Sequence, residues 1–373
     1  MEMHQPRDPE DNLQFEKIVD PREKMSKALK RCLLLLNLAL MVLGESGGPL
    51  LMRLYFNRGG NRIWLSSWLE TGGWPIFLFP LLFSYLHRRS KLGEQGARLF
   101  FMKPRLFVAS ASLGLLTGLV DYLYAYGMSR LPVSTISLIN SSQLAFNALF
   151  SFLLVRQRFT PFSINSVVLL TIGAIVLGLH SSSDRPKDEA KDQYYMGFFV
   201  SIGAAVLYGL LLPMVEFTYK RAKQAITYPL VMEIQMVMSI FATAFCTVGM
   251  LVNKDFKAIG SEAREHELGV VKYYVVLVCS AIFWQFFYLG AVGVIFYASS
   301  LVAGITSATL LPILEILAVI FYKEKFKGEK GISLTLALWG FTSYFYGELK
   351  GNNQQDQKPE SEPHQCPNSS SQV

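Results

Sequence analysis

The stretch LLLLNLALMVLGESGGPLLMRLYF, from Leu33 to Phe56, decides how the rest of the chain is interpreted. It is long and apolar enough to cross a bilayer, yet it holds Glu45 with three glycines and a proline. A charge at bilayer depth costs about 2.5 kcal/mol or more, so Glu45 is expected to face a cavity, a partner or a proton. Gly47, Gly48 and Pro49 predict an interrupted membrane helix with a site at the interruption. The alternative is a kinked helix that packs closely on another helix through small residues, with Glu45 protonated.

The composition of the whole chain is typical of a multi-span membrane protein. Of 373 residues, 51% are hydrophobic and only 17% are charged. The net charge of +7 could suggest nucleic-acid binding. The basic residues, however, occur in short clusters between apolar runs, where Lys and Arg orient membrane spans. The charge therefore indicates membrane topology, and no nucleic-acid partner is expected.

Apolar runs of roughly 18 to 27 residues predict an all-α integral membrane protein with ten transmembrane helices. The predicted spans are residues 28–56, 64–86, 104–129, 132–155, 161–180, 194–219, 226–252, 271–296, 298–322 and 331–349. The polar ends, 1–26 and 350–373, lack apolar periodicity and are predicted to be disordered tails.

Lys and Arg residues predict the orientation of these spans. Seven lie before the first span or at its start, six follow the second, and three lie at the end of the first or after it, which places both termini in the cytosol. The second half conflicts with this orientation, since Lys254 and Lys323 begin basic segments on the predicted outside. We give more weight to the first spans because they usually dominate insertion.

An internal repeat appears when the chain is shifted by 167 residues, which lays RQRF at 156–159 on KEKF at 323–326 and Gly173 on Gly340. A shift of 164 lays Pro49 on Pro213. The predicted halves, 27–182 and 193–349, each hold five helices. Because five is odd, the two repeats are inverted, and a substrate site is expected near the midplane between them.

The fourth predicted span carries three side-chain amides on one helical face, from Asn140, Gln143 and Asn147. An amide presents a donor beside an acceptor and can pair with the edge of adenine. The alternative is hydrogen bonding to a neighbouring helix.

The eighth predicted span contains Trp284, Gln285 and Tyr288. Trp284 and Tyr288 are four residues apart and share a face, which suits stacking on a flat heterocycle, with the Gln285 amide at its edge. Ordinary packing or an interfacial position is the alternative.

Carboxylates within the spans are candidates for proton coupling, because a carboxylate removed from water binds a proton more readily. Glu70 and Glu233 fall at nearly equivalent places in the two repeats. The four candidates are Glu45, Glu70, Asp121 and Glu233.

The chain shows no sequence pattern for catalysis, a cofactor or a metal. Its four cysteines are widely spaced, its five histidines lie in loops and tails, and GESGGP lacks the Lys-Ser/Thr end of a phosphate-binding loop. A membrane-embedded enzyme would need such a cluster. A channel would favour rings of small or charged residues over amides with aromatics. A transporter is therefore predicted.

The sequence from about Met25 to Glu348 resembles the plant purine permeases of the drug/metabolite transporter superfamily. The resemblance is carried by five runs: SGGPLLMRLYFNRGGNRIWLSSWLETGGWP at 46–75, NKDFKAIGSEAREHELGVVKYYVVLVCSAIFWQ at 253–285, LGAVGVIFYASSLVAGI at 289–305, LLPILEILAVIFYKEKFKGEKGISL at 310–334 and LWGFTSYFYGE at 338–348. It implies a ten-span, inverted-repeat transporter that imports adenine, cytosine, cytokinins and related heterocycles with protons. Some members take up alkaloids or vitamin B6 forms instead, and that is the alternative for this chain.

The sequence thus predicts a proton-coupled importer of purine bases, whose central cavity lies between spans one to four and six to nine. Its predicted substrate-binding residues are Glu45, Asn140, Gln143, Trp284, Gln285 and Tyr288. The fifth and tenth spans are expected to pack at the periphery of the bundle. A homodimer would use these two spans as its contact surface. The expected location is the plasma membrane.

Overall fold

The computed structural model describes residues 26–92, 100–131, 133–157, 159–179, 191–222, 224–322 and 328–356. Of the predicted tails, 1–26 and 350–373, residues 1–25 and 357–373 lie outside the described residues. In the described part every regular element is a helix. The α-helices are α1 (Lys27–Asn57), α2 (Ile63–Gly72), α3 (Leu78–Leu92), α4 (Pro104–Arg130), α5 (Val133–Phe150), α6 (Pro161–Leu179), α7 (Lys191–Arg221), α8 (Tyr228–Val252), α9 (Asp255–Glu265), α10 (Val270–Tyr297), α11 (Ser300–Tyr322) and α12 (Gly328–Asp356).

Length and composition allow five of these helices to cross a membrane: α1, α4, α7, α8 and α10. Shorter apolar segments occur in α5, α6 and α11. The prediction of a helical membrane protein is therefore confirmed, and the full set of ten spans stays a prediction.

The predicted interruption in the first span is wrong, because α1 is one continuous helix with Pro49 inside it. Its glycines serve helix packing instead. A Cβ atom at Gly44 would collide with the backbone of Phe283 and Phe287 on α10, and one at Gly290 would collide with the backbone of α1. Such close approach needs glycine on both helices. The close helix packing of the alternative therefore describes α1, while the protonation of Glu45 stays a prediction.

The second predicted span, 64–86, is divided in two. Helix α2 ends at Gly72, a 3₁₀ turn covers Trp74–Phe77, and α3 begins at Leu78. Pro75 has no backbone N–H to continue the α-helix, and a Cβ at Gly73 would press on the Ala281 carbonyl of α10. The sequence GGWP thus allows α2 to end against α10.

Two further boundaries differ from the sequence prediction. Helix α12 continues to Asp356, so residues 350–356, which were assigned to a disordered tail, are helical. The loop after α8 contains the short helix α9. Helix α9 is rich in charged residues, so it does not form an apolar run and was not predicted as a span.

Helix α9 fixes the loop that follows α1. Arg62 forms ion pairs with Asp255 (3.4 Å) and Glu262 (3.3 Å), and the Tyr55 hydroxyl donates to Glu262. Burial raises the pKa of the Asp255 carboxyl, while the Arg62 guanidinium opposes that shift. The end of α1 is thereby held at one end of the helix bundle.

The helices pack around a shared interior. The pair α1 and α10 and the pair α6 and α12 make extensive contacts, α4 contacts α7 and α8, and α5 contacts α6 and α7. Helix α11 lies against α1 and α5. The largest apolar cluster draws on α1, α4, α5, α7, α8, α10 and α11, for example through Met41, Leu113, Leu144, Leu211 and Ile305. Polar side chains within this interior define the candidate site.

Candidate functional site

A cavity of about 350 Å³ lies among α1, α2, α4, α5, α7, α10 and α11. Its lining includes α1 residues from Glu45 to Asn57. Because Asn57 is exposed, the cavity reaches the surface at the C-terminal end of α1. Five of the six predicted substrate-binding residues line it: Glu45, Asn140, Gln143, Trp284 and Tyr288. Residues from distant parts of the chain therefore share one concave space.

The amides of α5 form one wall of this cavity. The Gln143 Nε2 group donates to Asn140 Oδ1 (3.3 Å), and the Tyr124 hydroxyl is hydrogen-bonded to the Asn140 side chain. Asn147 instead donates to the Ser300 carbonyl of α11 (3.0 Å), so its amide is committed to helix packing. Two of the three predicted amides thus border the main cavity.

Glu45 lies at the inner part of the cavity, half-buried. The Ser307 hydroxyl donates to Glu45 Oε2 (2.9 Å), and Tyr208 is hydrogen-bonded to Ser307. These groups border an adjoining chamber of about 30 Å³ that also touches Asn140 and Gln143. The chamber has room for about one water molecule with several polar partners. Tyr208 and Ser307 were not identified from the sequence.

Trp284, Phe287 and Tyr288 make the aromatic wall. The ring centroids of Trp284 and Tyr288 are 6.3 Å apart, with planes inclined by 34°. Gly48 of α1 lies against the indole, where a Cβ atom would come within 2.9 Å of Cε2. The buried indole Nε1 has no hydrogen-bond partner in the described part of the chain. The wall therefore offers aromatic surface and one unused donor.

Two carboxyl groups meet at the side of the cavity formed by α2 and α4. The Glu70 and Asp121 side chains are hydrogen-bonding neighbours, and both are buried. The Tyr288 hydroxyl donates to Asp121 Oδ1 (2.9 Å). An acidic pair and the aromatic wall are thereby in direct contact.

Gln285 and Glu233 lie outside the cavity lining. The Gln285 amide donates to the backbone carbonyl of Glu70 (2.9 Å), so it fixes the position of α2 from behind the wall. Glu233 Oε2 accepts a hydrogen bond from the backbone N–H of Phe101 (3.0 Å), in the segment that precedes α4. Both contacts join separate elements of the fold. Among the described residues, no three His, Cys, Asp or Glu side chains are grouped closely enough to hold a metal ion.

Comparison with known proteins gives a consistent result. A family profile described as purine nucleobase transmembrane transport matches residues 32–354. Purine permease 3 of Arabidopsis thaliana is 52% identical over 338 residues, covering 89% of this chain and 96% of that protein. Purine permease 2 of Arabidopsis thaliana is 50% identical over 334 residues, covering 86% and 93%.

One solved structure, described only as a crystal structure of a protein, has a TM-score of 0.58 with 14% sequence identity. The match covers 84% of this chain and 98% of the other. This likeness concerns the fold alone.

Proposed function

The chain belongs to the plant purine permease family, and from this premise we propose that it is a proton-coupled secondary active transporter that imports adenine, cytokinins and related nitrogen heterocycles. It is a multi-pass membrane protein of a transporter family, which points away from an enzyme. The observation that carries the proposal is the cavity that combines amides, aromatic rings and carboxyl groups.

The cavity suits a small flat heterocycle. Its volume of about 350 Å³ is at the lower end of the roughly 300–1,000 Å³ common for ligand sites. Asn140 and Gln143 supply paired donors and acceptors for a ring edge, while Trp284 and Tyr288 supply aromatic surface. This division of roles is what a nucleobase requires.

The arrangement of the helices supports two inverted five-helix repeats. If α1, α4 and α5 correspond to α7, α10 and α11, then the contact of α1 with α10 has its counterpart in α7 with α4. The contact of α5 with α7 likewise has its counterpart in α11 with α1. Helix pairs that exchange in this way are expected for repeats related by a two-fold axis in the membrane plane.

The crossing of α6 and α12 gives the same support at the level of residues. A Cβ at Gly173 would lie 3.2 Å from the Ser333 carbonyl, and one at Gly340 would lie 3.2 Å from the Ser166 carbonyl. Both pairs differ by the repeat shift, since 340 − 173 = 167 and 333 − 166 = 167. The two helices therefore contact each other through equivalent positions. A homodimer through their outer faces stays a proposal.

Orientation gives the cavity a direction. With both termini in the cytosol, α1 ends on the opposite side of the membrane, where the cavity reaches the surface at Asn57. The conformation described is then outward-facing. An importer in the plasma membrane would receive its substrate from this side.

Uptake of alkaloids or vitamin B6 forms is the alternative function, and Glu45 favours it. A carboxylate at the inner part of the cavity can pair with a protonated nitrogen, which neutral adenine lacks. Both functions would use the same cavity. They differ in whether the part of the ligand next to Glu45 is positively charged or neutral.

Competition experiments test the proposed substrate class. Cells that express the chain and lack their own purine uptake are expected to take up labelled adenine. Excess unlabelled adenine or trans-zeatin should reduce this uptake more strongly than an alkaloid or pyridoxine. Stronger competition by the alkaloid or by pyridoxine would favour the alternative, and absence of adenine uptake would contradict the proposal.

Replacing Trp284 tests the aromatic wall. Stacking of a base on an aromatic side chain contributes about 1–3 kcal/mol, so Trp284→Ala is expected to raise the transport Km for adenine about tenfold or more. Trp284→Phe keeps a ring and should raise it about threefold. Trp68→Ala is the matched control, because the Trp68 indole donates to Thr247 (3.0 Å) outside the cavity. Equal effects of Phe and Ala at position 284 would indicate packing alone.

A further inference from the structure

The strongest unexplained feature of the cavity is the contact between Glu70 and Asp121. The two residues are only 2% and 4% exposed. Their carboxyl groups are hydrogen-bonding neighbours, yet Glu70 Oε1 and Asp121 Oδ2 receive no hydrogen bond from any described donor. Two neighbouring buried carboxyl groups, each with an oxygen that lacks a donor, are costly unless they share a proton.

The cation that borders the same cavity is Arg53 on α1. Within the described residues, no Lys, Arg or His lies within ion-pair distance of either carboxyl group. The titratable side chains that face the pair are Tyr124 on α4, Tyr208 on α7, Cys246 on α8, Tyr288 on α10 and, across the cavity, Glu45 on α1. The tyrosines and the thiol are neutral near pH 7 and cannot stabilise two adjacent negative charges.

We infer that Glu70 and Asp121 act as one carboxyl–carboxylate pair that holds a single proton, and that this is the proton transported with the substrate. The inference rests on the proposed proton-coupled function. Water on the outer side supplies the proton, and the same pair releases it to water on the cytosolic side. The other candidates then have different roles.

Tyr288 connects the pair to the substrate site. Its hydroxyl donates to Asp121 Oδ1 (2.9 Å), and its ring forms the aromatic wall with Trp284. Gln285, on the same helix, holds the backbone carbonyl of Glu70 (2.9 Å). A ligand that shifts α10 therefore acts on both members of the pair. Through Tyr288 and Gln285 the pair on α2 and α4 is linked to α10, which belongs to the other proposed repeat.

Loss of the proton opposes closure of the site. Without it the pair carries two negative charges, which need water and so favour an open, hydrated cavity. With the proton bound, the pair carries one charge shared along a hydrogen bond and can be enclosed. Occlusion of the loaded site then requires the proton, which is the condition for coupled transport.

Glu45 and Glu233 are less suited to this role. Glu45 is half-buried and already accepts a hydrogen bond from Ser307, so its charge is partly stabilised without a proton. Glu233 lies outside the cavity, where it accepts from the Phe101 N–H. Neither has a second carboxyl group as a hydrogen-bonding neighbour among the described contacts.

Purified protein in liposomes with an imposed pH gradient tests the inference. Wild-type protein is expected to concentrate labelled adenine up to about tenfold per pH unit, since one pH unit corresponds to about 1.4 kcal/mol per proton. Glu70→Gln and Asp121→Asn should each reduce accumulation to about onefold, while counterflow of labelled adenine is still measurable above that of liposomes without protein. Glu233→Gln is the matched buried control and should accumulate normally.

The exchanged pair, Glu70→Asp with Asp121→Glu, keeps two carboxyl groups and nearly the same volume. It should restore accumulation, and it provides the test if the single variants fail to insert. Normal accumulation in both single variants would overturn the inference, as would a folded exchanged pair that performs counterflow without accumulation. If wild-type protein exchanges adenine but never accumulates it, the proposed coupling fails and the inference fails with it.

Discussion

Replacing both cavity amides, Asn140→Ala with Gln143→Ala, is expected to raise the transport Km for adenine about 100-fold. Each amide offers hydrogen bonds to the ring edge, and loss of one such contact, with its partner left unpaired, costs about 1–3 kcal/mol. That cost corresponds to roughly 5- to 150-fold per residue, with tenfold near the middle of the energy range. Either single variant should therefore show an intermediate Km. Transport kinetics at matched surface expression give the measurement.

The matched control for the amide variants is Asn165→Ala on α6. The Asn165 amide donates to Ser343 (3.0 Å) where α6 contacts α12. Asn165 does not line the cavity in which Asn140 and Gln143 are proposed to bind the heterocycle. Its Km for adenine should stay within about twofold of wild type. If the double variant at Asn140 and Gln143 also keeps a normal Km, these amides serve only hydrogen bonds within the protein, to each other and to Tyr124.

Glu45→Gln is expected to weaken the binding of cationic ligands far more than the binding of neutral ones. A hydrogen bond to a charged group contributes about 1.5–3 kcal/mol, so the inhibition constant of a protonated alkaloid should rise about 10- to 100-fold. The Km for neutral adenine should rise less, because glutamine retains an acceptor for the Ser307 hydroxyl and for an exocyclic amine.

The Glu45→Gln variant can also be tested for proton-coupled accumulation. Since the coupled proton is assigned to Glu70 and Asp121, Glu45→Gln at saturating adenine should still accumulate substrate with the wild-type pH dependence. Loss of accumulation with intact counterflow would instead make Glu45 the coupling residue. Equal weakening of adenine and the alkaloid would remove its proposed role in charge selection.

For α1, the sequence correctly indicated that Glu45 borders a cavity, but it did not predict that the helix is continuous. Glu45 within an apolar run is visible locally, and it does border the cavity. The glycines beside it have two physical explanations, an interrupted backbone or close packing, and a single sequence does not distinguish them. The choice depends on Gly290 of α10, which lies against α1 only in the folded protein.

Residues that are adjacent in sequence can also face different directions. Trp284 and Gln285 were assigned together to the heterocycle, but consecutive helical residues do not share a face. Trp284 borders the cavity, whereas Gln285 reaches the Glu70 carbonyl. The helical spacing of four between Trp284 and Tyr288 was the more informative signal.

The internal repeat also relates residues of the candidate site to each other. The shift of 167 lays Asp121 on Tyr288 and Asn140 on Ser307, since 288 − 121 = 167 and 307 − 140 = 167. Asp121 and Tyr288 are hydrogen-bonded to each other, and Asn140 and Ser307 both border the small chamber. The contact of Glu70 with Asp121 has no such signal, because it joins two helices of the same half and depends on their packing.

Concentrative uptake of adenine by the purified protein tests the central claim most directly. Liposomes that contain the wild-type chain would be given an acidic exterior, and the internal concentration of labelled adenine would be measured with and without a protonophore. We expect accumulation above the external concentration that collapses to the external value when the protonophore is added. Entry that stops at the external concentration in both conditions, or accumulation that the protonophore leaves unchanged, would contradict proton-coupled import.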